Sequence, residues 1–126
     1  MKLKTGWFKQ SIIIMLALSI LLSGCGNKIP PGIIGLWQKT TPAYSTGDPY
    51  LNKNIYIEFH KNGQLLLAQT GIFGKYAFLD DGHIQFILPD GTYEYAYWLG
   101  EGALTLTDGQ GNYHIYVQLS NQFLGE

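Results

Sequence analysis

Between positions 33 and 118 the chain alternates apolar and polar residues, and glycine-containing turns interrupt it at short intervals. Alternation with a period of two is typical of β-strands, because successive side chains point to opposite faces of a sheet. Glycine, Asn and Asp tolerate the positive φ that tight hairpins need. The pattern predicts strands at 33–40, 54–60, 64–69, 75–80, 83–88, 92–99, 103–107 and 112–118, with a long irregular connection at 41–53. It predicts no helix in this region.

One face of the predicted strands is apolar, and a sheet with one apolar face must close on itself or pair with another layer. Eight antiparallel strands in series can close, and closure removes the exposed edges. The sequence therefore predicts an all-β fold, a single small antiparallel up-and-down β-barrel. Its expected core face carries Ile55, Ile57, Phe59, Leu65, Leu67, Tyr76, Phe78, Ile84, Phe86, Leu88, Tyr93, Tyr95, Tyr97, Leu104, Leu106, Tyr113, Ile115 and Val117.

The amino-terminal segment has the three parts of a cleavable signal peptide. Three lysines lie among the first nine residues, an apolar run covers 12–22, and Leu22, Ser23, Gly24 and Cys25 follow. The run is shorter than the ~20 residues of a spanning helix. The sequence Leu22-Ser23-Gly24-Cys25 resembles the lipobox of bacterial lipoproteins. The resemblance implies that signal peptidase II recognises the first three residues and that Cys25 carries a diacylglycerol. An uncleaved anchor or an ordinary buried helix is the alternative.

These features divide the chain into a cleaved signal peptide at 1–24, a lipidated Cys25 with a flexible tether at 25–32, and a barrel domain at 33–126. The lipid on Cys25 makes the membrane the expected partner, since two acyl chains hold far better than one. The expected location is the bacterial cell envelope. Gly26 resembles the residue that permits sorting to the outer membrane where the host has one; otherwise the protein lies on the outer face of the cytoplasmic membrane.

Composition restricts the other partners. Cys25 is the only cysteine, so a lipidated chain has none left for a disulfide. All eight basic residues are lysines, and removal of the signal leaves five of them against nine acidic residues, a net charge of −4. A negatively charged domain without arginine lacks the guanidinium fork that binds phosphate. Nucleic acid is therefore not an expected partner.

A second resemblance concerns the barrel itself. Gly35-Leu36-Trp37 opens the first strand, a long loop follows, and a late strand reads Leu104-Thr105-Leu106-Thr107-Asp108. This arrangement resembles the small bacterial lipocalin-like domains of the calycin group. The resemblance implies that Trp37 plugs the closed end of the barrel, with Gly35 allowing close approach of the backbone. It also implies a non-catalytic binding module for a small apolar ligand or a peptide. The strands are shorter than in lipocalins proper, and too few residues remain for their carboxy-terminal helix.

Two interpretations of the barrel interior stay open. The rings of Tyr93, Tyr95 and Tyr97 either fill a core, with hydroxyls reaching water or backbone at the barrel ends, or line a polar pocket. An eight-stranded barrel holds its own side chains or one small ligand. Because the inward residues are large and aromatic, a filled core with a shallow mouth is favoured. The alternative function is accordingly a structural or protein-interaction envelope lipoprotein, such as an accessory subunit or an inhibitor.

No metal site or cofactor is expected. The histidines His60, His83 and His114 fall on three different strands in the solvent-facing phase, without the spacing of a zinc motif. The turn at 108–111 lacks the ligand count of a calcium loop.

No catalytic residue is expected either. Ser45 and Ser120 lie outside a nucleophile elbow. Glu58 and Glu94 could form the carboxylate pair of a glycosidase. Isolated glutamates on an exposed sheet face are, however, normally hydrated surface residues that keep the protein in solution.

Connections alternate between the two ends of an up-and-down barrel. The connections at 41–53, 70–74, 89–91 and 108–111 should therefore share one end, and the tether should enter from the other and face the membrane. Apolar residues on loops above a rigid barrel indicate a contact site. The candidate ligand or partner contacts are Tyr44, Tyr50, Ile72 and Phe73, with Tyr50 and Phe73 as anchors. Alternatively, the long loop only folds down over the core as a lid.

Overall fold

Eight antiparallel strands close into one barrel in the computed structural model, which describes residues 28–121. Each strand pairs with its neighbours in the sequence, and the last strand pairs with the first. The strands are β1 (Gly35–Lys39), β2 (Tyr56–Phe59), β3 (Gln64–Leu67), β4 (Ile72–Phe78), β5 (His83–Leu88), β6 (Gly91–Gly100), β7 (Ala103–Thr107) and β8 (Tyr113–Ser120). The predicted fold class, an up-and-down β-barrel of about eight short strands, is confirmed.

The connection between β1 and β2 contains a short helix that the strand pattern did not predict. Helix α1 (Pro49–Lys53) has five residues and begins after Asp48, whose side chain accepts hydrogen bonds from the backbone N–H of Tyr50 and Leu51. Asp is a preferred residue at this capping position, and Pro suits the first helical turn. Within residues 28–121, no helix is long and apolar enough to cross a membrane.

The barrel interior is filled by side chains. Sixteen apolar residues are buried, and the largest fully buried ones include Trp37, Phe59, Phe86, Tyr95 and Tyr116. Phe59 and Tyr95 both make edge-to-face contacts with Phe86, with ring centroids 6.0 and 4.9 Å apart. Such contacts pack a core at high density, and the interior matches the filled core that the sequence favoured.

A 3₁₀ turn (Pro31–Ile33) lies at the end of the barrel where the tether enters, which we call the tether end. Ile33 is fully buried, and the indole Nε1 of Trp37 donates to its carbonyl oxygen at 2.8 Å. At Gly35 the backbone has φ 138°, and a Cβ there would lie 2.0 Å from the carbonyl oxygen of Ser120. Glycine thus allows β1 to approach β8 where the barrel closes.

The predicted core face is wrong for β8. His114 and Tyr116 point inward and are fully buried, whereas Tyr113, Ile115 and Val117 face outward and are exposed. Apolar residues occupy both phases of this strand, so hydropathy favoured the side with three of them. Pairing with β7 sets the opposite phase, because Ile115 lies opposite the outward-facing Thr105.

Ile55 was also assigned to the core, and it is 40% exposed. It precedes β2, which begins at Tyr56, so the alternation of that strand does not extend to it.

Candidate functional site

The connection between β1 and β2 folds over the barrel end opposite the tether end, which we call the long-loop end. Hydrogen bonds join it to each of the other three turns there. The backbone N–H of Asp48 donates to Asp108 Oδ2 at 3.1 Å, the N–H of Thr70 donates to Asn54 Oδ1 at 3.0 Å, and the Tyr50 hydroxyl donates to the Asp90 carboxylate. The four connections that were expected to share one end therefore meet.

Asp108 holds the long loop down. Its carboxylate accepts hydrogen bonds from His114 Nε2 at 2.9 Å and from the backbone N–H groups of Asp48, Gln110 and Asn112. Burial alone would raise the pKa of Asp108, but these donors stabilise the anion and lower it to about 2. The carboxylate is thus ionised at neutral pH and serves as the common acceptor of the loop.

Gly47 allows the loop to approach Asp108. Its φ is 103°, and a Cβ at this position would lie 2.2 Å from Asp108 Oδ2 and 2.5 Å from Asn112 Nδ2. A larger residue would therefore clash with the two side chains that fasten the loop.

Helix α1 is anchored from both sides. Leu51 inserts into the core and is fully buried. The second carboxylate oxygen of Asp48 accepts the Tyr95 hydroxyl at 2.6 Å, which ties the helix cap to the barrel interior. Lys39 Nζ donates to the Leu51 carbonyl at 3.1 Å. The loop is therefore a fixed cover over the core, as the lid interpretation expected, and it also forms one wall of a cleft.

A cleft of about 300 Å³ opens beside α1 at the long-loop end. It runs between the helix, the turn after β3 and the turn before β6. Its lining residues are Pro49, Tyr50, Lys53, Asn54, Thr70, Ile72, Asp90 and Tyr93.

Two tyrosines and one aspartate form one side of the cleft. The rings of Tyr50 and Tyr93 pack edge to face with centroids 5.1 Å apart. Both hydroxyls donate to Asp90, one to each carboxylate oxygen. The hydrogen bond to Asp90 raises the pKa of Tyr50, and the same bond lowers the pKa of Asp90. The hydroxyls thus stay protonated at neutral pH and fix the two rings relative to each other.

Asn54 lines the cleft and is fully buried. Its Nδ2 donates to the Tyr50 carbonyl at 2.8 Å, and its Oδ1 accepts from the N–H and hydroxyl of Thr70, both at 3.0 Å. The amide therefore joins the end of α1 to the turn after β3. Ile72 and the rings of Tyr50 and Tyr93 give the cleft an apolar surface, and Asn54 is one of the fixed polar groups that border it, an arrangement suited to binding.

The structure separates the four predicted contact residues. Tyr50 and Ile72 line the cleft. Tyr44 packs edge to face against His114 at 5.1 Å, and its hydroxyl donates to the Tyr113 carbonyl. Phe73 lies on the outer face of β4, is 70% exposed and is not among the lining residues. The lipobox residues Leu22, Ser23, Gly24 and Cys25 lie outside the described residues.

The three histidines have different surroundings. His114 was expected to face solvent and is fully buried, because β8 has the opposite phase. Burial lowers its pKa, and the Lys39 charge adds to this effect. His60 pairs with Glu58 at 3.1 Å.

His83 lies with Asp81 and Glu94 on the outer surface, all three ligand atoms within 4.8 Å of one another. These side chains could hold a cation, and the sequence did not predict the cluster because Glu94 comes from the neighbouring strand. His83 Nδ1 is 2.9 Å from Asp81 Oδ1, and this bond raises the pKa of His83.

Four residues that build the long-loop end were not predicted from the sequence as site residues: Asp48, Asn54, Asp90 and Asp108. The Asp48-Pro49 pair is a helix-start signal that marks one of them. Asp90 and Asp108 were assigned only to turn formation, which accounts for their residue type without revealing their partners.

Comparison with protein-family models, with curated proteins and with solved structures finds no match to this chain.

Proposed function

We propose that this protein is a lipid-anchored envelope lipoprotein whose lipocalin-like barrel binds a small apolar molecule, or an apolar side chain of a peptide, at the long-loop end. The anchor rests on the lipobox resemblance at 22–25. The binding role rests on the cleft. A binding site at the end away from the tether is kept clear of the point of attachment.

The cleft of about 300 Å³ is the observation that carries the proposal. This volume is at the lower end of the range for small-molecule sites, roughly 300–1,000 Å³. Ile72 and the rings of Tyr50 and Tyr93 provide apolar contact, whereas Lys53, Asn54 and Asp90 provide polar groups at its border. The ligand class that fits is a compact apolar or aromatic group that carries one or two hydrogen-bonding atoms.

The site is at the barrel mouth because the interior is occupied. Trp37, Phe59, Phe86, Tyr95 and Tyr116 fill the space that a larger barrel would leave for a ligand. The same observation favours the second candidate, a structural or protein-interaction lipoprotein in which the filled barrel is a rigid support. The two candidates differ in whether the cleft holds a ligand.

Native mass spectrometry of the lipidated protein, released from detergent, distinguishes them. We expect a non-covalent adduct on the wild-type protein. Ile72→Trp fills the cleft and should remove the adduct. Phe73→Ala changes the neighbouring outward residue and should retain it. Absence of an adduct from the wild-type protein, together with unchanged spectra on incubation with an envelope extract, would favour the structural role.

A further inference from the structure

One outer face of the barrel is largely apolar, and none of the outward strand side chains that form it is charged. It consists of the outward side chains in the second half of β6 and along β7 and β8, and we call it the β6–β8 face. Its residues are Trp98, Ala103, Thr105, Thr107, Tyr113, Ile115, Val117 and Leu119. Trp98 is 62% exposed, Tyr113 60% and Leu119 50%. Cross-strand pairing makes the face continuous, since Trp98 lies opposite Thr105 and Thr105 lies opposite Ile115.

The aromatic side chain of Trp98 leans toward the tether end. A Cβ at Gly100 would lie 2.5 Å from Cη2 of the indole, so the ring covers the backbone of Gly100 at the end of β6. Val117 and Leu119 lie on the same half of the face, on β8. Three of the large apolar side chains of the face thus lie toward the end where the tether enters, and Tyr113 lies at the opposite end of β8.

The chain enters the barrel at the end of the strands that carry this face, where it contacts their inward-facing side chains. The carbonyl of Gly32 accepts a hydrogen bond from Gln118 Nε2 on β8 at 3.3 Å. A Cβ at Gly32 would lie 3.6 Å from Leu99 Cδ2 on β6. Gly32 therefore sits between the tether ends of β6 and β8. From Gly32 to Cys25 the chain spans at most ~25 Å when extended.

We propose that the β6–β8 face lies on the lipid bilayer to which Cys25 is attached, so that the barrel rests on its side at the membrane surface. This inference rests on the lipid anchor of the proposed function. It differs from an upright arrangement in which only the tether end faces the membrane.

Three observations favour a bilayer as the occupant of this face. The short tether keeps the face at a high effective concentration relative to the lipid, so weak contacts suffice. Trp and Tyr are the side chains preferred at the headgroup level, where one edge of the ring is apolar and the other hydrated. An exposed face without charge avoids the cost of bringing carboxylates close to the bilayer.

Tryptophan fluorescence tests the orientation, because the mature lipoprotein would contain only Trp37 and Trp98. Trp37 is fully buried in the core. The lipidated protein is reconstituted in vesicles of phosphatidylethanolamine and phosphatidylglycerol with bromine on the acyl chains near the headgroups. If the face inserts by the ~5–10 Å typical of interfacial segments, bromolipid should quench the Trp98 emission by about half. The Trp98→Phe variant should lose this quenching.

Phe73 provides a matched control position. It is 70% exposed on β4, outside the β6–β8 face. In the double variant Trp98→Phe, Phe73→Trp, the new indole should be quenched by aqueous acrylamide and not by bromolipid. Equal bromolipid quenching at positions 73 and 98, or none at 98, would overturn the proposed orientation. Protection of Trp98 from acrylamide without bromolipid quenching would also overturn it and would indicate a covering protein.

The mass of the amino-terminal peptide separates this inference from the proposed function. A peptide that begins at Cys25 and carries diacylglycerol, combined with an unquenched Trp98, overturns the orientation only. A peptide without diacylglycerol removes the anchor and the orientation together, whereas the cleft and its ligand remain testable by native mass spectrometry.

Discussion

Asp108 Oδ2 lies 2.9 Å from His114 Nε2, and both side chains are fully buried. The pair joins the turn after β7 to the first inward residue of β8. Through the backbone N–H of Asp48, the same carboxylate also fastens the loop that walls the cleft. One buried anion thus links closure of the barrel to formation of the candidate site.

Asp108→Asn should destabilise the protein by about 2–3 kcal/mol. The carboxylate accepts several N–H donors through two oxygens, whereas the amide has one accepting oxygen and places an NH2 donor where the second oxygen was. Urea denaturation followed by circular dichroism measures the change. Asp80→Asn, in an exposed turn, is the matched control and should stay within about 0.5 kcal/mol of wild type. Similar urea midpoints for the two variants would contradict the role given to Asp108.

Stability should fall as the pH is lowered from neutral. The folded pKa of His114 lies below its ordinary value of 6.5, so the unfolded chain takes up a proton first and stability declines from about pH 6.5 downward. The pKa of Asp108 falls from 3.8 to about 2, and its contribution is lost between those values. That contribution is about 2 kcal/mol.

The exposed His83 has a raised pKa and acts in the opposite direction, stabilising the fold at low pH. The pH series is therefore measured in a His83→Gln background. A urea midpoint that rises between pH 7 and pH 5 in that background would refute the assignment to His114.

Trp37→Ala should cost about 3–5 kcal/mol, the range for removal of a large buried aromatic side chain. The variant also leaves the Ile33 carbonyl without its indole donor. Trp98→Ala, on the exposed outer face, serves as the control and should change the unfolding free energy by less than about 0.5 kcal/mol. An unchanged denaturation midpoint for Trp37→Ala would show that this residue does not plug the barrel.

Tyr50→Ala should weaken ligand binding by roughly tenfold or more, which corresponds to about 1.4 kcal/mol. The substitution removes one aromatic side of the cleft and one partner of Asp90. Phe73→Ala should leave the affinity unchanged, because Phe73 points away from the cleft. Titration of the ligand identified by mass spectrometry, monitored by calorimetry, provides the comparison. Equal losses in both variants would place the contact on the outer surface of β4 instead.

Cys25→Ser should abolish lipid attachment and signal-peptide cleavage, since serine offers no thiol for the diacylglycerol. Radiolabelled palmitate and the mobility of the protein on a gel report the two events. Ser23→Ala keeps a small residue at its position and should be labelled like wild type. Label on Cys25→Ser equal to that of wild type would rule out the lipobox interpretation.

The strand number, the order of the hairpins and most of the core were predictable from the amino-acid pattern alone. Turn residues at regular intervals and side-chain alternation are local properties, so they can be read without knowing what each strand touches. Leu65, Leu67, Ile84 and Phe86 are buried as predicted. The sequence also favoured a filled interior over a pocket, because the inward side chains are large.

The phase of β8, in contrast, depends on its tertiary contacts. Its apolar residues occupy both faces, so hydropathy does not choose between them. Closure against β7 and the bond from His114 to Asp108 select the inward pair His114 and Tyr116. The same choice leaves Ile115 and Val117 on the outer surface and thereby creates the β6–β8 face.

The cleft too is a product of closure. Tyr50 and Asn54 come from the connection between β1 and β2, whereas Asp90 and Tyr93 come from the turn before β6 and from β6 itself, and only the barrel brings these two segments together. Each has a sufficient local explanation as a turn, cap or core residue, so no sequence pattern marks them as a group. Local periodicity determines which residues form strands, whereas the register that closes the barrel determines which side chains meet.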